Sequence, residues 1–205
     1  MIDFFLHIDV HLGELISHYG LFVYVILFFI IFLETGFVIT PFLPGDSLLF
    51  AAGAFSALGS LNIYLILFLL FTAAVLGDTA NYWIGHFFGQ KIIAHPKIPI
   101  NQQHIDQTNA FFAKYGTKTI FLARFVPIVR TFAPFIAGIG KMHYSKFITY
   151  NIFGGLVWVF SFTLAGYFFG NLPSVKDNFS IVILFIILIS ILPMLYHFLL
   201  TKIRH

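Results

Sequence analysis

Two arginines, Arg124 and Arg130, flank Pro127 inside the apolar stretch 121–131, and an earlier apolar stretch carries Glu34 and Asp46 around Pro41 and Pro44. The chain around them is 60% hydrophobic and only 9% charged, whereas a soluble domain carries about 25% charged residues. The medium this chain folds in is therefore a bilayer. A charge at membrane depth costs ~2.5–3.5 kcal/mol even on the lenient insertion scale, so it faces a partner or a watery cavity. Proline at the same depth breaks a helix, which lipid tolerates only where protein or a cavity supplies the missing hydrogen bonds. Charge beside broken helix is the pattern of a transporter.

The 205 residues allow one membrane domain, 1–205, of several spans and leave no length for a separate soluble domain. The formal charge of +3 suggests no nucleic-acid partner, because the 11 Lys and Arg form no dense patch. Four lie between Lys91 and Lys118, two at Lys141 and Lys146, and two at Lys202 and Arg204, which reads as membrane topology, since cytoplasmic loops carry excess Lys and Arg. With no cysteine, disulfides, thiolate metal sites and cysteine nucleophiles are excluded. The N-terminus lacks the positive region of a secretory signal, so its first apolar run is read as retained.

Residues 3–19 place Asp3, His7, His11, Glu14 and His18 at helical spacing with apolar residues between them, the pattern of a helix lying in the interface. Leu21–Leu33 is apolar but, at 13 residues, too short for an upright span alone. Residues 34–60 break at Pro41, Pro44 and Gly45 and read as a re-entrant hairpin. Leu61–Ala80 spans, with Tyr82–Ile93 as its extension. Residues 119–140 repeat the hairpin character, with Pro127, Pro134, Gly138 and Gly140. Phe147–Gly170 spans, and a last helix over 179–200 spans back. The expected fold is thus all-α, polytopic, with two re-entrant hairpins.

The charges set the sidedness. If the 91–118 and 141–146 loops are cytoplasmic, the hairpin between them enters and leaves from inside, and the 34–60 hairpin enters from outside. Both termini then fall in the cytoplasm. An ordered internal repeat agrees: Phe42-Leu-Pro44, Ala52-Gly53, Trp83 and Gly85-His-Phe-Phe-Gly89 in one half match Phe125-Val-Pro127, Ala137-Gly138, Trp158 and Gly166-Tyr-Phe-Phe-Gly170 in the other. Interrupted segments paired in two halves point to a transport site at the interface of an inverted repeat.

Each charged residue admits two readings. Glu34 and Asp46 are either interfacial capping groups, Asp46 heading an arm that begins at Ser47, or a carboxylate pair that loads and releases protons as access changes side. Arg124 and Arg130 either neutralise those acids or grip an anionic headgroup, for which arginine's planar fork is suited. Six residues apart, they share no face of one unbroken helix, but a break at Pro127 aims both at one point. Asp78 is a candidate ion relay or a helix-end polar residue. Gly77, Asn81, Gly85 and Gly89, four apart, form a helix-packing stripe. Pro41, Pro44, Gly45, Pro127 and Gly138 shape the hairpins. His7 and His11 lack a specified third ligand, so no metal and no cofactor is expected. Lys118 and Arg124 faintly resemble the phosphate-binding element of phosphatidic-acid-phosphatase-like enzymes. Gly85-His86 lacks their preceding Pro-Ser, and no second Ser-Arg, His and Asp element follows, so the chain is not read as an enzyme.

At these residues the chain resembles the DedA family, whose relatives include the eukaryotic VTT-domain (SNARE-associated Golgi type) proteins. The matching residues are Glu34, then Pro41-x-x-Pro44-Gly45-Asp46 and Gly53, then Gly77-Asp78-x3-Tyr82-x2-Gly85-x3-Gly89. Phe121-x2-Arg124-Phe125-x-Pro127-x2-Arg130, Ala137-Gly138-x3-Met142, Phe147, Asn151, Gly154 and Trp158 follow, so the resemblance covers roughly 20–170. It implies a bacterial inner-membrane protein with two facing re-entrant hairpins that translocates a phosphate-bearing lipid, undecaprenyl phosphate in some members and phospholipids in eukaryotic relatives, with proton coupling. It maps the family's functional acids and arginines onto Glu34, Asp46, Arg124 and Arg130. The expected partners are an anionic lipid and protons, with a homo-oligomer left open. Two rivals remain, a non-selective scramblase and a non-transporting assembly factor.

Overall fold

The computed structural model describes residues 20–37, 45–93 and 102–176. The expected helices over 3–19 and 179–200, and Pro41 and Pro44, lie outside the described residues. What is described contains helices and turns and no strand. In order, α1 is Leu21–Gly36, α2 Gly45–Ala57, α3 Ile63–Ile93 and α4 Gln102–Tyr115; a 3-10 turn Gly116–Lys118 leads to α5 Thr119–Ala123, then α6 Pro127–Ile139, α7 Tyr144–Gly170 and α8 Pro173–Lys176.

Among the described residues, α3 and α7 are the two helices long and apolar enough to cross a membrane. Their 31 and 27 residues correspond to roughly 46 and 40 Å at 1.5 Å per residue, more than the ~30 Å hydrocarbon layer. Phe68, Phe87, Phe153 and Phe168 on these two helices are each more than 60% exposed, a surface that water would penalise and lipid does not. The helix α3 continues past Ala80 to Ile93, and its start at Ile63 is fixed by Asn62, whose Oδ1 accepts the N–H groups of Tyr64 and Leu65 as an N-cap does. The Asn62 N–H itself donates to the Tyr24 hydroxyl at 2.8 Å. α2 stops at Gly59, which adopts φ +80° while Ser60 N–H reaches back to Phe55 O, the glycine-terminated ending that L side chains disfavour.

The chain divides into two compact units, one of residues up to Leu27, Pro44–Phe68 and from Ser161 on, the other of Phe28–Leu43 and Leu69–Phe160. Each contains a glycine-packed helix pair. In the first, a Cβ on Gly53 of α2 would lie 1.9 Å from Thr163 O, and one on Gly166 of α7 would lie 2.0 Å from Phe50 O. In the second, a Cβ on Gly138 of α6 would lie 2.1 Å from Tyr82 O, and one on Gly85 of α3 would lie 2.2 Å from Phe135 O. The contacts correspond one to one, α2 to α6 by an offset of 85 positions (Gly53 to Gly138, Phe50 to Phe135) and α7 to α3 by 81 (Gly166 to Gly85, Thr163 to Tyr82). This register corrects the pairing of the tryptophans. Trp83 corresponds to Leu164 and Trp158 to Gly77, and the environments differ accordingly: Trp83 is exposed whereas Trp158 is 0% exposed.

The second unit is held by Tyr82, Ile120, Ala123, Val129, Ala133, Ala137 and Phe147 from α3, α5, α6 and α7. Tyr82 stacks on Phe147 with centroids 4.4 Å apart, and its hydroxyl donates to Met142 O beyond α6. Because the glycine contacts meet backbone, not flexible side-chain ends, Gly138→Ala is expected to lower stability by ~1–3 kcal/mol. Gly36→Ala, whose Cβ would come no closer than 3.5 Å to Gly77, an ordinary contact, is expected to change it little. Unfolding midpoints of the two purified variants in detergent check this; equal midpoints would remove the packing argument.

Candidate functional site

The site belongs wholly to the second unit and is assembled by three interruptions of regular packing. First, Gly77 on α3 has no side chain where one would strike Thr35: its Cβ would lie 1.9 Å from Thr35 Oγ1 and 2.8 Å from Phe32 O. The last turn of α1 therefore lies directly on α3 and carries Glu34 inward, to 1% exposure. Thr35 closes that turn by donating its hydroxyl to Ile31 O at 2.9 Å. Asn81, one turn beyond Gly77, donates its amide to Thr35 O at 3.2 Å and to Thr131 O at 2.9 Å. It thus satisfies a carbonyl at the end of α1, where the helix has no N–H left to offer, and ties α1 to α6.

Second, the chain breaks between α5 and α6. Val126 is extended, with φ −123° and ψ 101°, as a residue before proline is driven to be, and Pro127 then opens α6 in the position where its missing N–H does no harm. The break separates Arg124, at the end of α5, from Arg130, at the end of the first turn of α6, whose N–H donates to Val126 O at 2.8 Å. Third, Gly154 and Gly155 on α7 leave a slot for the Arg124 side chain, since a Cβ on Gly154 would meet Arg124 Cδ at 3.1 Å and one on Gly155 would meet Nη2 at 3.4 Å.

Two ion pairs result. Arg130 Nη2 donates to Glu34 Oε1 at 2.6 Å, and Arg124 Nη2 donates to Asp78 Oδ2 at 2.6 Å and also to Asn151 Oδ1. Asn151 is oriented by donating its amide to Val75 O at 3.0 Å and Thr79 Oγ1 at 3.4 Å. Glu34, Asp78 and Arg124 are 1–2% exposed and Arg130 6%. Both guanidiniums face one indole: the Cζ of Arg130 lies 4.9 Å and that of Arg124 5.7 Å from the Trp158 ring centroid. Within a dry interior such contacts are worth up to ~2 kcal/mol each. Two cations and two anions make the cluster neutral, which is how four charges persist where each alone would cost several kcal/mol.

The pairing leaves capacity unused. Arg124 Nε and Nη1 and Asp78 Oδ1 are buried and make no hydrogen bond. Buried polar atoms without partners are uncommon, and the unused Nε–H and Nη1–H groups lie on opposite sides of the guanidinium, each able to donate to one acceptor oxygen while Nη2 holds Asp78 and Asn151.

Of the residues singled out in the sequence, Glu34, Asp78, Arg124 and Arg130 are brought together. Asp78 is neither terminal nor solvated: it sits mid-way along α3 as the acid of Arg124. Asp46 lies in the first turn of α2, in the first unit, half-buried; α2 begins at Gly45, so Asp46 is within the helix and not ahead of it. Gly45 is buried at that start, and Gly138 packs on α3. Trp158, Asn151 and Asn81 were not singled out as site residues. Asn151, Gly154, Gly155 and Trp158 stand at i, i+3, i+4 and i+7, one face of α7, and that stripe of polar, small and aromatic residues was the available signal. Among the described residues no group of three or more His, Asp or Glu is placed to hold a metal.

The VTT domain matches residues 43–168, from just before α2 almost to the end of α7. The chain is 56% identical over 196 residues to Protein DedA of Escherichia coli (strain K12), covering 94% of this chain and 90% of that protein. It is 44% identical over 169 residues to an uncharacterized membrane protein of Mycobacterium tuberculosis (strain ATCC 25618 / H37Rv), covering 81% and 74%. It is 35% identical over 151 residues to Inner membrane protein YqjA of E. coli (strain K12), covering 73% and 69%. No solved structure matches it. The matched domain contains Asp78, both arginines and the indole they share, and with the extent of the E. coli match it makes this chain a VTT-domain membrane protein of the DedA family.

Proposed function

We propose that the protein translocates a lipid bearing a phosphate headgroup across the bacterial cytoplasmic membrane, with undecaprenyl phosphate, recycled for envelope synthesis, as the first substrate to test. The observation that carries this reading is the pair of buried guanidiniums over Trp158, held neutral by Glu34 and Asp78, with two Arg124 nitrogens uncommitted. An internal salt bridge kept only for stability gains nothing from unfilled donors, since a buried pair replaced by apolar residues is as stable or more so. A site that exchanges its carboxylates for a phosphate needs them.

In the proposed cycle the headgroup takes the arginines while its tail stays in the bilayer. A proton on Glu34 or Asp78 releases one guanidinium from its acid; loss of that proton restores the pair and expels the phosphate. Asp46, which the family resemblance maps as a second coupling acid, belongs to the first unit and is proposed to act with Glu34 in proton delivery. The substrate-bound and proton-bound states must have different affinities for the two access states, or nothing moves.

The matching glycine-packed pairs in the two units support an inverted repeat within a single membrane domain, and the helix–break–helix of α5 and α6 supports a re-entrant hairpin. Together with the charge distribution along the loops, they fit a multi-pass protein with both termini in the cytoplasm. The name of its relative YqjA, an inner membrane protein, fits the same location.

The test is headgroup translocation of undecaprenyl phosphate in proteoliposomes of the pure protein, with and without an imposed pH gradient. Gradient-driven movement that is lost in Arg124→Ala is the expected result. Movement of many lipids regardless of the gradient would make the protein a scramblase. No movement by protein of verified fold would sink the transport reading.

A further inference from the structure

A pocket of about 450 Å³ opens on the second unit between the Lys118–Leu122 segment and the first half of α7, lined by Lys118, Phe121, Leu122, Thr149, Tyr150 and Phe153. Its size lies within the ~300–1,000 Å³ of sites that hold small organic molecules. Four of its six lining side chains are aromatic or aliphatic, and the only charge among them is the cation of Lys118. Thr149 spends its hydroxyl hydrogen on Ser145 O at 2.8 Å, so Lys118 supplies the charged donor. Phe153 is 61% exposed on a helix long enough to span the bilayer, which places the pocket on the lipid side of the protein.

The pocket also adjoins the ion-pair site. Phe121, one of its walls, approaches the position of a Gly154 Cβ to 3.3 Å through its Cα, and Arg124 Cδ and Nε approach the same point to 3.1 and 3.2 Å. Gly154 follows the wall residue Phe153 directly. The Arg124 stem, with its uncommitted Nε–H, therefore lies behind the contact between Phe121 and Gly154.

We propose that this pocket is a binding site for one bilayer lipid with an anionic headgroup, its chain against Phe121, Leu122 and Phe153 and its phosphate on Lys118, and that it is the lateral vestibule from which a headgroup reaches Arg124. The vestibule role rests on the transport reading above; the binding site does not. An apolar cleft capped by one cation selects an amphiphile of opposite charge, and a zwitterionic lipid offers the tail without the net attraction. A lysine near a membrane surface contributes ~1 kcal/mol of that attraction.

The test places the photo-crosslinking residue benzoylphenylalanine at Phe153 in the full-length protein. The protein is reconstituted in phosphatidylcholine vesicles containing a minor share of phosphatidylglycerol, and adducts are identified by intact mass. Phosphatidylglycerol adducts are expected about fivefold above that lipid's share of the vesicle, the ratio that ~1 kcal/mol confers. The enrichment is expected to vanish in Lys118→Gln and return in Lys118→Arg, and to be absent with the crosslinker at Phe68, which is 69% exposed and outside the pocket. Adducts in proportion to vesicle composition, or enrichment that survives Lys118→Gln, would overturn the proposal. No pH gradient and no translocation enter the measurement. Enrichment in a protein that moves no lipid would leave the binding site standing and sink the transport reading, whereas translocation without enrichment would sink the pocket alone.

Discussion

Asp78→Ala is expected to destabilise the protein by ~3–5 kcal/mol, the usual cost of orphaning one member of a buried pair. Arg124 would keep Asn151 and the face of Trp158 but lose the carboxylate 2.6 Å away, in a position 2% exposed where water cannot take its place. The decisive comparison is the double variant Asp78→Ala, Arg124→Met. With both charges gone, a flexible apolar chain fills the slot beside Gly154 and Gly155, and stability is expected to return to within ~1 kcal/mol of the parent. Denaturation of the parent, Asp78→Ala, Arg124→Met and the double variant in mixed micelles gives the four values from which the cycle isolates the coupling between the two residues. A double variant as unstable as the single would show that Asp78 matters for some contact other than Arg124. The restored double variant is also expected to carry no lipid, which separates the pair's place in the fold from its place in transport.

The glycine stripe of α3 was legible because spacing alone puts Gly77, Asn81, Gly85 and Gly89 on one face, and contact with Thr35, Phe135 and Ile139 is what that face makes. The α5–α6 break was legible because Pro127 leaves few alternatives. What spacing could not give was partner identity. Arg124 and Asp78 are 46 positions apart and Arg130 and Glu34 are 96 apart, and with three acids and two arginines in apolar sequence several pairings satisfy electroneutrality. Only the packing of Gly77 on Thr35, which fixes the depth of Glu34 against α3, decides among them. The tryptophans failed as markers for a related reason. A sequence repeat aligns residue types, whereas the packed repeat aligns backbone contacts, and by that measure the counterpart of Trp158 is Gly77. Both residues lie in the second unit, where Gly77 seats Thr35 and Trp158 carries the two guanidiniums.

Exchanging the other pair, as Glu34→Arg with Arg130→Glu, is expected to leave stability nearly unchanged and abolish transport. Glu34 sits in the last turn of α1, and Arg130 at the end of the first turn of α6. A helix favours cations at its C-terminus and anions at its N-terminus, by ~0.3–1 kcal/mol each; both native residues are placed against that preference. The exchange corrects both, while it forfeits the contact of the Arg130 guanidinium with Trp158 at 4.9 Å, worth up to ~2 kcal/mol in a dry site. The gain and the loss are of one size, so the unfolding midpoint should move by no more than the equivalent of ~1 kcal/mol. Transport should not survive, because the cation is then carried by α1 and no longer by α6 beside the indole. Arg130→Lys makes the complementary test: the ammonium keeps a charge for Glu34 but loses the planar fork, and headgroup movement is expected to fall by about tenfold or more with the fold intact. A charge arrangement that opposes two helix dipoles is explicable if the site must release Glu34 from Arg130 during a cycle, since a pair reinforced by both helices would be harder to open. Full transport by the exchanged protein would remove that explanation and favour the assembly-factor reading, in which only the existence of the pair matters and not its direction.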